Sequence, residues 1–199
     1  YATLSITGNS GRKLSAGPYM PGVVFAPAPH FYRCPFNSQS EEECGERAAL
    51  ALKDIIKYHT SNNVAAFIAE PVMGEGGIIV PPNNYLKIVK QILEENKILY
   101  IADEVQSGFG RTGKLFAVEH YGVVPDIMCM AKGIAAGFPL GAFIAKPEIA
   151  DSFTPGSHLS TFGGSPVSCA AAIANLEVFA EEKLCENSQK RGLFIMGKL

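Results

Sequence analysis

The stretch ILYIADEVQSGFGRTG, residues 98–113, decides the fold. It contains an apolar run, then two acidic residues, then a loop. Residues 98–102 are continuously apolar, which is typical of a strand that is covered on both faces of a parallel sheet. Asp103 and Glu104 come next, and three glycines in the rest of the stretch mark a loop. The stretch therefore predicts a buried strand with polar side chains at its carboxyl end.

Similar apolar runs alternate with helical patterns along the rest of the chain. Strands are predicted at residues 64–69, 98–102, 127–130 and 141–145. Helices are predicted at residues 40–59, 85–93, 165–182 and 185–199. This alternation indicates an α/β fold, a largely parallel sheet with helices on both faces, and no linker or repeat divides it.

Composition narrows the classes of function. The 199 residues are 47% hydrophobic and 18% charged, with a net charge of −2, which argues against disorder and against a nucleic-acid partner. The five cysteines are odd in number and contain no C-x-x-C pair, so we expect free thiols rather than disulfides or a metal site. No apolar run reaches the roughly 20 residues of a membrane helix. A cytoplasmic location is expected, with the mitochondrial matrix as the eukaryotic alternative.

Polar residues follow three of the predicted strands, where open α/β sheets bind their ligands. They are Glu70, the Asp103–Gln106 segment and Lys132. Taken singly, a carboxylate at such a position often only caps a helix, and a lysine is usually a solvated surface group. Lys132, however, has only uncharged neighbours from residue 128 to residue 137, and an amine held among apolar groups becomes a nucleophile that can form Schiff bases.

A Schiff-base lysine needs an electron sink, and pyridoxal 5′-phosphate (PLP) is the common one. Its pyridine nitrogen requires a carboxylate partner, which Asp103 could supply. Its phosphate requires hydrogen-bond donors, and Thr161 lies with two glycines just before a predicted helix. Together these residues indicate a PLP site more strongly than any of them does alone.

A competing motif lies within the same loop. Residues 108–114, GFGRTGK, match the first seven positions of the G-x-x-x-x-G-K-[ST] nucleotide-binding loop. Leu115 stands where that loop needs the Ser or Thr that binds magnesium, and no apolar strand runs directly into Gly108. A nucleotide-binding module is therefore the weaker hypothesis.

Five segments carry a resemblance to a known family. They are residues 68–77 (IAEPVMGEGG), 101–113 (IADEVQSGFGRTG), 125–127 (PDI), 131–133 (AKG) and 160–164 (STFGG). The sequence resembles the class III, or omega, aminotransferases, which are PLP enzymes of fold type I. The likeness is greatest to 4-aminobutyrate and alanine–glyoxylate aminotransferases, and residues 32–36 (YRCPF) contribute to it.

The resemblance implies a role for each matching cofactor residue. Lys132 would form the Schiff base with PLP and later move a proton between substrate and cofactor. Asp103 would pair with the pyridine nitrogen. Val105 would pack on one face of the ring, and Gln106 would hydrogen-bond near its phenolic oxygen.

Two further residues are assigned by the resemblance alone. Thr161 would reach the PLP phosphate of the neighbouring subunit, which implies a homodimer with shared active sites. Glu70 would pair with an arginine of the substrate site and release it when the second substrate arrives. Residues 1–199 would form the central part of the PLP-binding large domain, without the segment that precedes it and without the C-terminal small domain.

The function implied is amino transfer from an amine or ω-amino acid, such as 4-aminobutyrate or alanine, to a keto acid. Another fold type I PLP enzyme, namely a racemase, an aminomutase or a decarboxylase, stays open as an alternative, because all of them begin with the same covalent capture of an amine.

Overall fold

The computed structural model describes all 199 residues, Tyr1–Leu199. Its helices are α1 (Ala2–Ile6), α2 (Glu41–His59), α3 (Tyr85–Glu95), α4 (Pro147–Ala150), α5 (Pro166–Glu181) and α6 (Leu184–Met196). Its strands are β1 (Ala66–Ala69), β2 (Leu99–Asp103), β3 (Ile127–Met130) and β4 (Ala142–Ala145). None of the helices combines the length and the apolar composition that crossing a membrane requires.

The four strands form one sheet in the order β1-β2-β3-β4. Strand β2 pairs in parallel with β1 and β3, whereas β4 pairs with β3 in the antiparallel direction. The connection 131–141 between β3 and β4 is shorter than the dozen or more residues that a parallel crossover needs, which explains the reversal. The predicted α/β fold with a largely parallel sheet is confirmed, with one antiparallel edge strand.

The predicted strands and long helices all occur, with ends shifted by a few residues. Strand β1 begins at Ala66 rather than at residue 64, because its ladder with β2 starts at the Ala66–Leu99 pair. Helix α2 begins after Ser40, whose hydroxyl accepts the Glu43 N–H at 3.1 Å. The two shortest helices, α1 and α4, were not predicted, because four or five residues show no amphipathic period.

Two compact units make up the chain, and their boundaries interleave along the sequence. One unit comprises residues 1–65 and 72–98, and the other comprises residues 66–71 and 99–199. In the first unit, α2 packs on α3. Gly45 of α2 is required where this helix meets the segment that precedes α3, because a Cβ there would lie 2.8 Å from the Cβ of Pro82.

The second unit contains the whole sheet, and Asp126 ties three of its strands together. The Asp126 Oδ2 accepts the N–H of Tyr100 in β2 at 2.8 Å, and its Oδ1 lies 2.7 Å from Nζ of Lys146, which follows β4. Asp126 itself directly precedes β3 and is 7% exposed. These contacts hold the strands together at the edge of the sheet where β3 begins. Glu70, Asp103 and Lys132 lie at the opposite edge, where β1, β2 and β3 end.

Candidate active site

Three parallel strands end at the same edge of the sheet and bring the predicted strand-end residues together. The ladders pair Ala69 with Ala102 and Asp103 with Cys129. Glu70 therefore follows β1 level with Asp103, the last residue of β2. Lys132 lies two residues beyond the end of β3. Since neighbouring strands are about 4.8 Å apart, the three charged residues lie along one edge.

Lys132 and Gln106 are in direct contact. The Nζ of Lys132 donates to Oε1 of Gln106 at 2.9 Å. The Lys132 side chain is exposed and Gln106 is half-buried. The expectation of a lysine enclosed by apolar neighbours is therefore wrong for this chain. The apolar flanks are buried at Met130, Ile134 and Ala135, and they anchor the turn from which the lysine extends.

The backbone at Lys132 is held in an uncommon conformation. Its φ is +45°, in the left-handed region, which costs a non-glycine residue about 1–2 kcal/mol. Asn175 of α5 stabilises the turn that follows, because its Nδ2 donates to the carbonyls of Gly133 at 2.8 Å and Ile134 at 3.1 Å. Gly133 also permits close packing, since a Cβ there would lie 3.0 Å from the Cβ of Phe109. The strain at Lys132 is thus maintained by contacts that the next two residues, Gly133 and Ile134, make with Asn175 and Phe109.

Asp103 presents a half-buried carboxylate at the end of β2, three residues before Gln106. Its Oδ1 accepts the N–H of Val105 at 3.1 Å, which turns the chain at the end of β2 and fixes the carboxylate. The charge of Asp103 acts on Cys129 of β3, because burial and this carboxylate together raise the pKa of that thiol. Glu70, Asp103 and Lys132, which follow or end the three parallel strands, are called the strand-end row. Asp103 therefore provides a fixed negative charge at the centre of this row.

Glu104, the neighbouring carboxylate, has a different position. It is 0% exposed, and its two oxygens accept the hydroxyl of Ser107 at 2.5 Å and the N–H of Val118 at 2.7 Å. Its own N–H donates to the carbonyl of Cys129 at 3.0 Å, and its carbonyl accepts the Gly108 N–H at 3.0 Å. Glu104 thus closes the loop that carries Gln106 and joins it to β3.

Glu70 is half-buried directly after β1. The segment that follows it is held by Tyr121, whose hydroxyl donates to the carbonyl of Pro71 at 3.1 Å. Burial and the nearby Glu104 carboxylate raise the pKa of Tyr121 to about 12, so its hydroxyl keeps the proton that it donates. Tyr121 therefore fixes the chain beside Glu70.

Thr161 is not joined to these residues by a hydrogen bond in the single chain. It lies in an exposed segment before α5, in which the Ser160 hydroxyl accepts the Gly163 N–H at 3.0 Å and Gly164 has a φ of +70°. Its neighbour Phe162 is 86% exposed. The structure thus brings together Glu70, Asp103, Val105, Gln106 and Lys132, and it leaves Thr161 on the surface.

The competing nucleotide-binding motif lacks its structural context. A phosphate loop of that type leads directly into a helix. Here Lys114 is exposed, and the chain continues through a turn into the short 3₁₀ segment Ala117–Tyr121. The loop is instead organised around Glu104, and we set the nucleotide hypothesis aside.

Sequence reasoning missed three supporting residues, which are Glu104 as a loop closure, Tyr121 and Asn175. Asn175 had a detectable signal, because it is the single amide in the otherwise mostly apolar stretch 170–176. The roles of Glu104 and Tyr121 depend on contacts with residues 14 and 50 positions away in the chain. Neither contact produces a local pattern.

Comparison with known proteins places this geometry in a family. The family model described as "Aminotransferase class-III" matches residues 1–199. An acetylornithine aminotransferase of Methanothermobacter thermautotrophicus is 51% identical over 138 residues, which cover 69% of this chain and 35% of the relative. A leucine/methionine racemase of Thermococcus litoralis is 40% identical over 100% of this chain and 45% of its own length. A probable 4-aminobutyrate aminotransferase of Bacillus subtilis is 39% identical over 98% of this chain and 45% of its own length.

Solved structures agree in fold. An (S)-enantioselective omega-transaminase from Thermomicrobium roseum superposes with a TM-score of 0.91 at 40% identity, over 97% of this chain and 44% of that one. An amine transaminase from an uncultivated Pseudomonas species, solved in its PLP-bound form, gives a TM-score of 0.92 at 36% identity, over 98% of this chain and 46% of that one. The chain thus spans less than half the length of these relatives.

Proposed function

The chain belongs to the class III aminotransferases, and from that premise we propose that the whole protein transfers an amino group from an amine or ω-amino acid to a keto acid. The observation that carries the proposal is the contact between Lys132 Nζ and Gln106 Oε1, at 2.9 Å, at the sheet edge where β2 ends with Asp103. The resemblance of the sequence favours 4-aminobutyrate or alanine as the donor, and the donor class is the part of the proposal that needs direct measurement.

PLP, the cofactor of class III aminotransferases, fits the residues that are present. The strand-end row and Gln106 supply a lysine amine, a carboxylate and a neutral amide, which are the groups that such a cofactor requires. When bound, PLP supplies an aldehyde that captures amines and a protonated ring that withdraws electrons. Lys132, Asp103, Val105 and Gln106 are the residues of this chain that would hold it.

Lys132 moves the proton, and Gln106 orients the lysine side chain. Because its side chain is exposed, Lys132 presents its Nζ to a bound substrate without leaving the sheet edge. Gln106 accepts one Nζ hydrogen and thereby restricts the rotation of the lysine side chain. The left-handed backbone at Lys132, supported by Asn175, sets the direction from which the amine approaches. In this proposal, the Nζ of Lys132 therefore takes a proton from a substrate carbon and passes it to the cofactor.

Asp103 and Glu70 act through charge. The hydrogen bond from Val105 N–H fixes the Asp103 carboxylate, so it can stabilise a cationic ring nitrogen without rearranging. Val105, half-buried beside it, offers an apolar contact for one face of that ring. Glu70, level with Asp103 on the adjacent strand, is suited to binding a cationic arginine of the substrate site.

The remaining part of the proposal is a homodimer with shared active sites. Thr161 lies on the surface, with no hydrogen bond to Asp103, Gln106 or Lys132 of its own chain, and it is followed by exposed Phe162. A surface hydroxyl beside an exposed aromatic residue suits a subunit interface, where aromatic residues are enriched. The Thr161 hydroxyl would then donate to the cofactor phosphate of the partner subunit.

The central experiment is to trap the cofactor on the whole protein. After incubation with PLP, reduction with borohydride should fix the cofactor covalently, and peptide mapping should place it on Lys132. The Lys132→Ala variant should lose both the label and amino transfer, whereas Lys114→Ala should keep both, because Lys114 is an exposed loop lysine. Labelling of another lysine in the wild type would contradict the assignment.

Racemisation is the second candidate, because a leucine/methionine racemase matches the entire chain at 40% identity. The two activities differ in their products. In the absence of a keto acid acceptor, an aminotransferase releases one equivalent of keto acid from its donor and then stops. A racemase converts one enantiomer of its substrate into the other without net release of keto acid. Chiral chromatography for the enantiomers, with an assay for keto acid in the same reaction mixture, therefore distinguishes racemisation from amino transfer.

A further inference from the structure

Three aromatic rings pack together on the surface beside β4. Phe143 of β4 lies 6.0 Å from Phe153 and 6.1 Å from His158, measured between ring centroids, and Phe153 lies 6.3 Å from His158. The plane of the imidazole meets that of Phe143 at 88° and that of Phe153 at 72°, which is the edge-to-face arrangement that aromatic pairs favour. Both phenylalanines are nearly half exposed, and His158 is exposed as well. We call these three residues the ring cluster.

The ring cluster closes a loop of the chain that leaves β4 and returns to it. After β4 the chain passes through α4, and the N–H of Phe153 donates to the carbonyl of Ala150 at 3.1 Å. A turn follows, in which the N–H of Thr154 donates to Oγ of Ser157 at 3.1 Å and the N–H of Ser157 donates to the carbonyl of Thr154 at 2.9 Å. His158 comes directly after that turn, and its ring attaches the end of the loop to the sheet.

The segment that carries Thr161 begins directly after His158, and residues 159–164 are all exposed. The hydroxyl of Ser160 accepts the N–H of Gly163 at 3.0 Å, a bond that shapes the segment without attaching it to the sheet. Three residues of chain span at most about 10 Å, so the position of His158 limits where Thr161 can lie. The ring cluster at one end and α5 at the other therefore hold the segment in place.

We propose that His158 is a positioning residue for amino transfer at the active site of the partner subunit. Its ring, packed on Phe143 and Phe153, fixes the segment from which Thr161 donates to the cofactor phosphate of the partner subunit. Histidine suits this exposed place, because it combines an apolar body with a polar tip that tolerates water. The inference rests on the shared-site homodimer proposed above.

The positioning role and a general effect on stability differ in which active site they change. In a mixed dimer of one protomer with Lys132 and one Lys132→Ala protomer, borohydride can fix PLP to lysine 132 at one site only. With shared sites, that site combines Lys132 of the first protomer with Thr161 of the second. A change at His158 should therefore weaken PLP labelling only when the Lys132→Ala protomer carries it, whereas a general loss of stability would weaken it from either protomer.

The test uses protomers of the whole protein with two different affinity tags, so that tandem purification isolates the mixed dimers. Labelling of Lys132 is measured at graded PLP concentrations, and the concentration for half labelling reports cofactor affinity without any substrate. With His158→Ala on the Lys132→Ala protomer, this concentration should rise about fivefold, because two ring contacts no longer fix the segment. With His158→Ala on the other protomer, it should stay within about twofold of the parent value, since the change then acts on the unlabelled site.

Three further variants, each placed on the Lys132→Ala protomer, sharpen the comparison. His158→Phe retains an aromatic ring and should bring the half-labelling concentration back near the parent value. Thr161→Ala removes the hydrogen-bond donor itself and should raise that concentration about tenfold or more. His59→Ala is the matched control and should have no effect, because His59 is also an exposed histidine but lies in the last turn of α2.

Amide hydrogen exchange provides a second readout that needs neither PLP nor a mixed dimer. In the His158→Ala homodimer, the Gly163 N–H should exchange faster than in the wild type, because the segment that contains it has lost its attachment to β4. Residues 142–145 of β4 should keep their protection. Unchanged exchange at Gly163 would contradict the positioning role.

The outcomes separate this inference from the shared-site model on which it rests. If Thr161→Ala acts only from the Lys132→Ala protomer but His158→Ala acts equally from both protomers or from neither, the positioning role alone is wrong. If Thr161→Ala also acts equally from both, the shared-site arrangement fails and the role of His158 fails with it. Sedimentation must show a dimer for every pair.

Discussion

The Lys132 amine and the Gln106 amide lie 2.9 Å apart, although 26 positions separate them in the sequence. The contact forms because β2 and β3 are adjacent parallel strands, so the residues that follow their carboxyl ends emerge at one edge of the sheet. Strand topology thus converts two separate motifs into one donor–acceptor pair.

The first prediction concerns that pair. Gln106→Leu removes the acceptor for Lys132 Nζ while keeping a side chain of similar size. A hydrogen bond to a charged group contributes about 1.5–3 kcal/mol, and the exposure of Lys132 puts this bond at the lower end, so amino transfer should fall about tenfold. Borohydride should still attach PLP to Lys132, because the lysine itself is unchanged. Gln106→Glu, which keeps an acceptor, should retain more activity than Gln106→Leu, and the reverse order would contradict the role of the contact.

The second prediction concerns the charge of Asp103. Asp103→Asn keeps an oxygen that can accept the Val105 N–H, so the fold should persist. The loss of a fixed charge at the reacting group should lower turnover by about 10²–10³-fold. Full turnover in a folded Asp103→Asn protein would refute the assignment.

An independent readout of the same substitution is available on β3. The Asp103 carboxylate and burial both raise the pKa of Cys129, so removing the negative charge should lower that pKa. Alkylation of Cys129 by iodoacetamide should then become faster at a fixed pH below the pKa of the thiol, and its rate–pH curve should shift to lower pH. This measurement requires neither cofactor nor substrate. An unshifted curve would show that the carboxylate does not act on Cys129.

The third prediction concerns Glu104, whose buried carboxylate closes the loop carrying Gln106. Glu104→Ala leaves the Val118 N–H and the Ser107 hydroxyl without their acceptor, at about 1–3 kcal/mol each. We expect a marked fall in the midpoint of thermal unfolding. Glu119→Ala is the matched control, because Glu119 also accepts a backbone N–H, that of Phe116 at 2.7 Å, but at the surface. Its effect should be below about 1 kcal/mol.

Glu104 also tests whether loop closure matters for the active site. Glu104→Gln retains one oxygen acceptor and should recover part of the stability lost in Glu104→Ala. If Glu104 positions Gln106, Glu104→Gln should lower kcat, as Gln106→Leu does. The KM for the amino donor should change little in Glu104→Gln. Normal kcat in a destabilised Glu104→Ala protein would show that the residue serves stability alone.

The sequence was sufficient for the architecture and for most of the strand-end residues, for a physical reason. Apolar strands such as 127–130 are local patterns, and parallel pairing then forces Glu70, Asp103 and Lys132 to one edge whatever the details of packing. The exposure of Lys132 was not predictable, because its apolar neighbours fill the core without enclosing the lysine.

The last prediction concerns Thr161 and the proposed shared sites. The surface position of Thr161, which has no hydrogen bond to Asp103, Gln106 or Lys132 of its own chain, is explained if its hydroxyl binds the cofactor of a partner subunit. Lys132→Ala and Thr161→Trp should each be inactive as pure homodimers. In a mixed dimer of a twofold assembly, one site then carries both defects and the other carries neither. Random exchange of equal amounts makes half of the dimers mixed, so about a quarter of the native activity should return. Sedimentation must show the same dimer for both variants, and failure to regain activity after demonstrated subunit exchange would refute the shared-site arrangement.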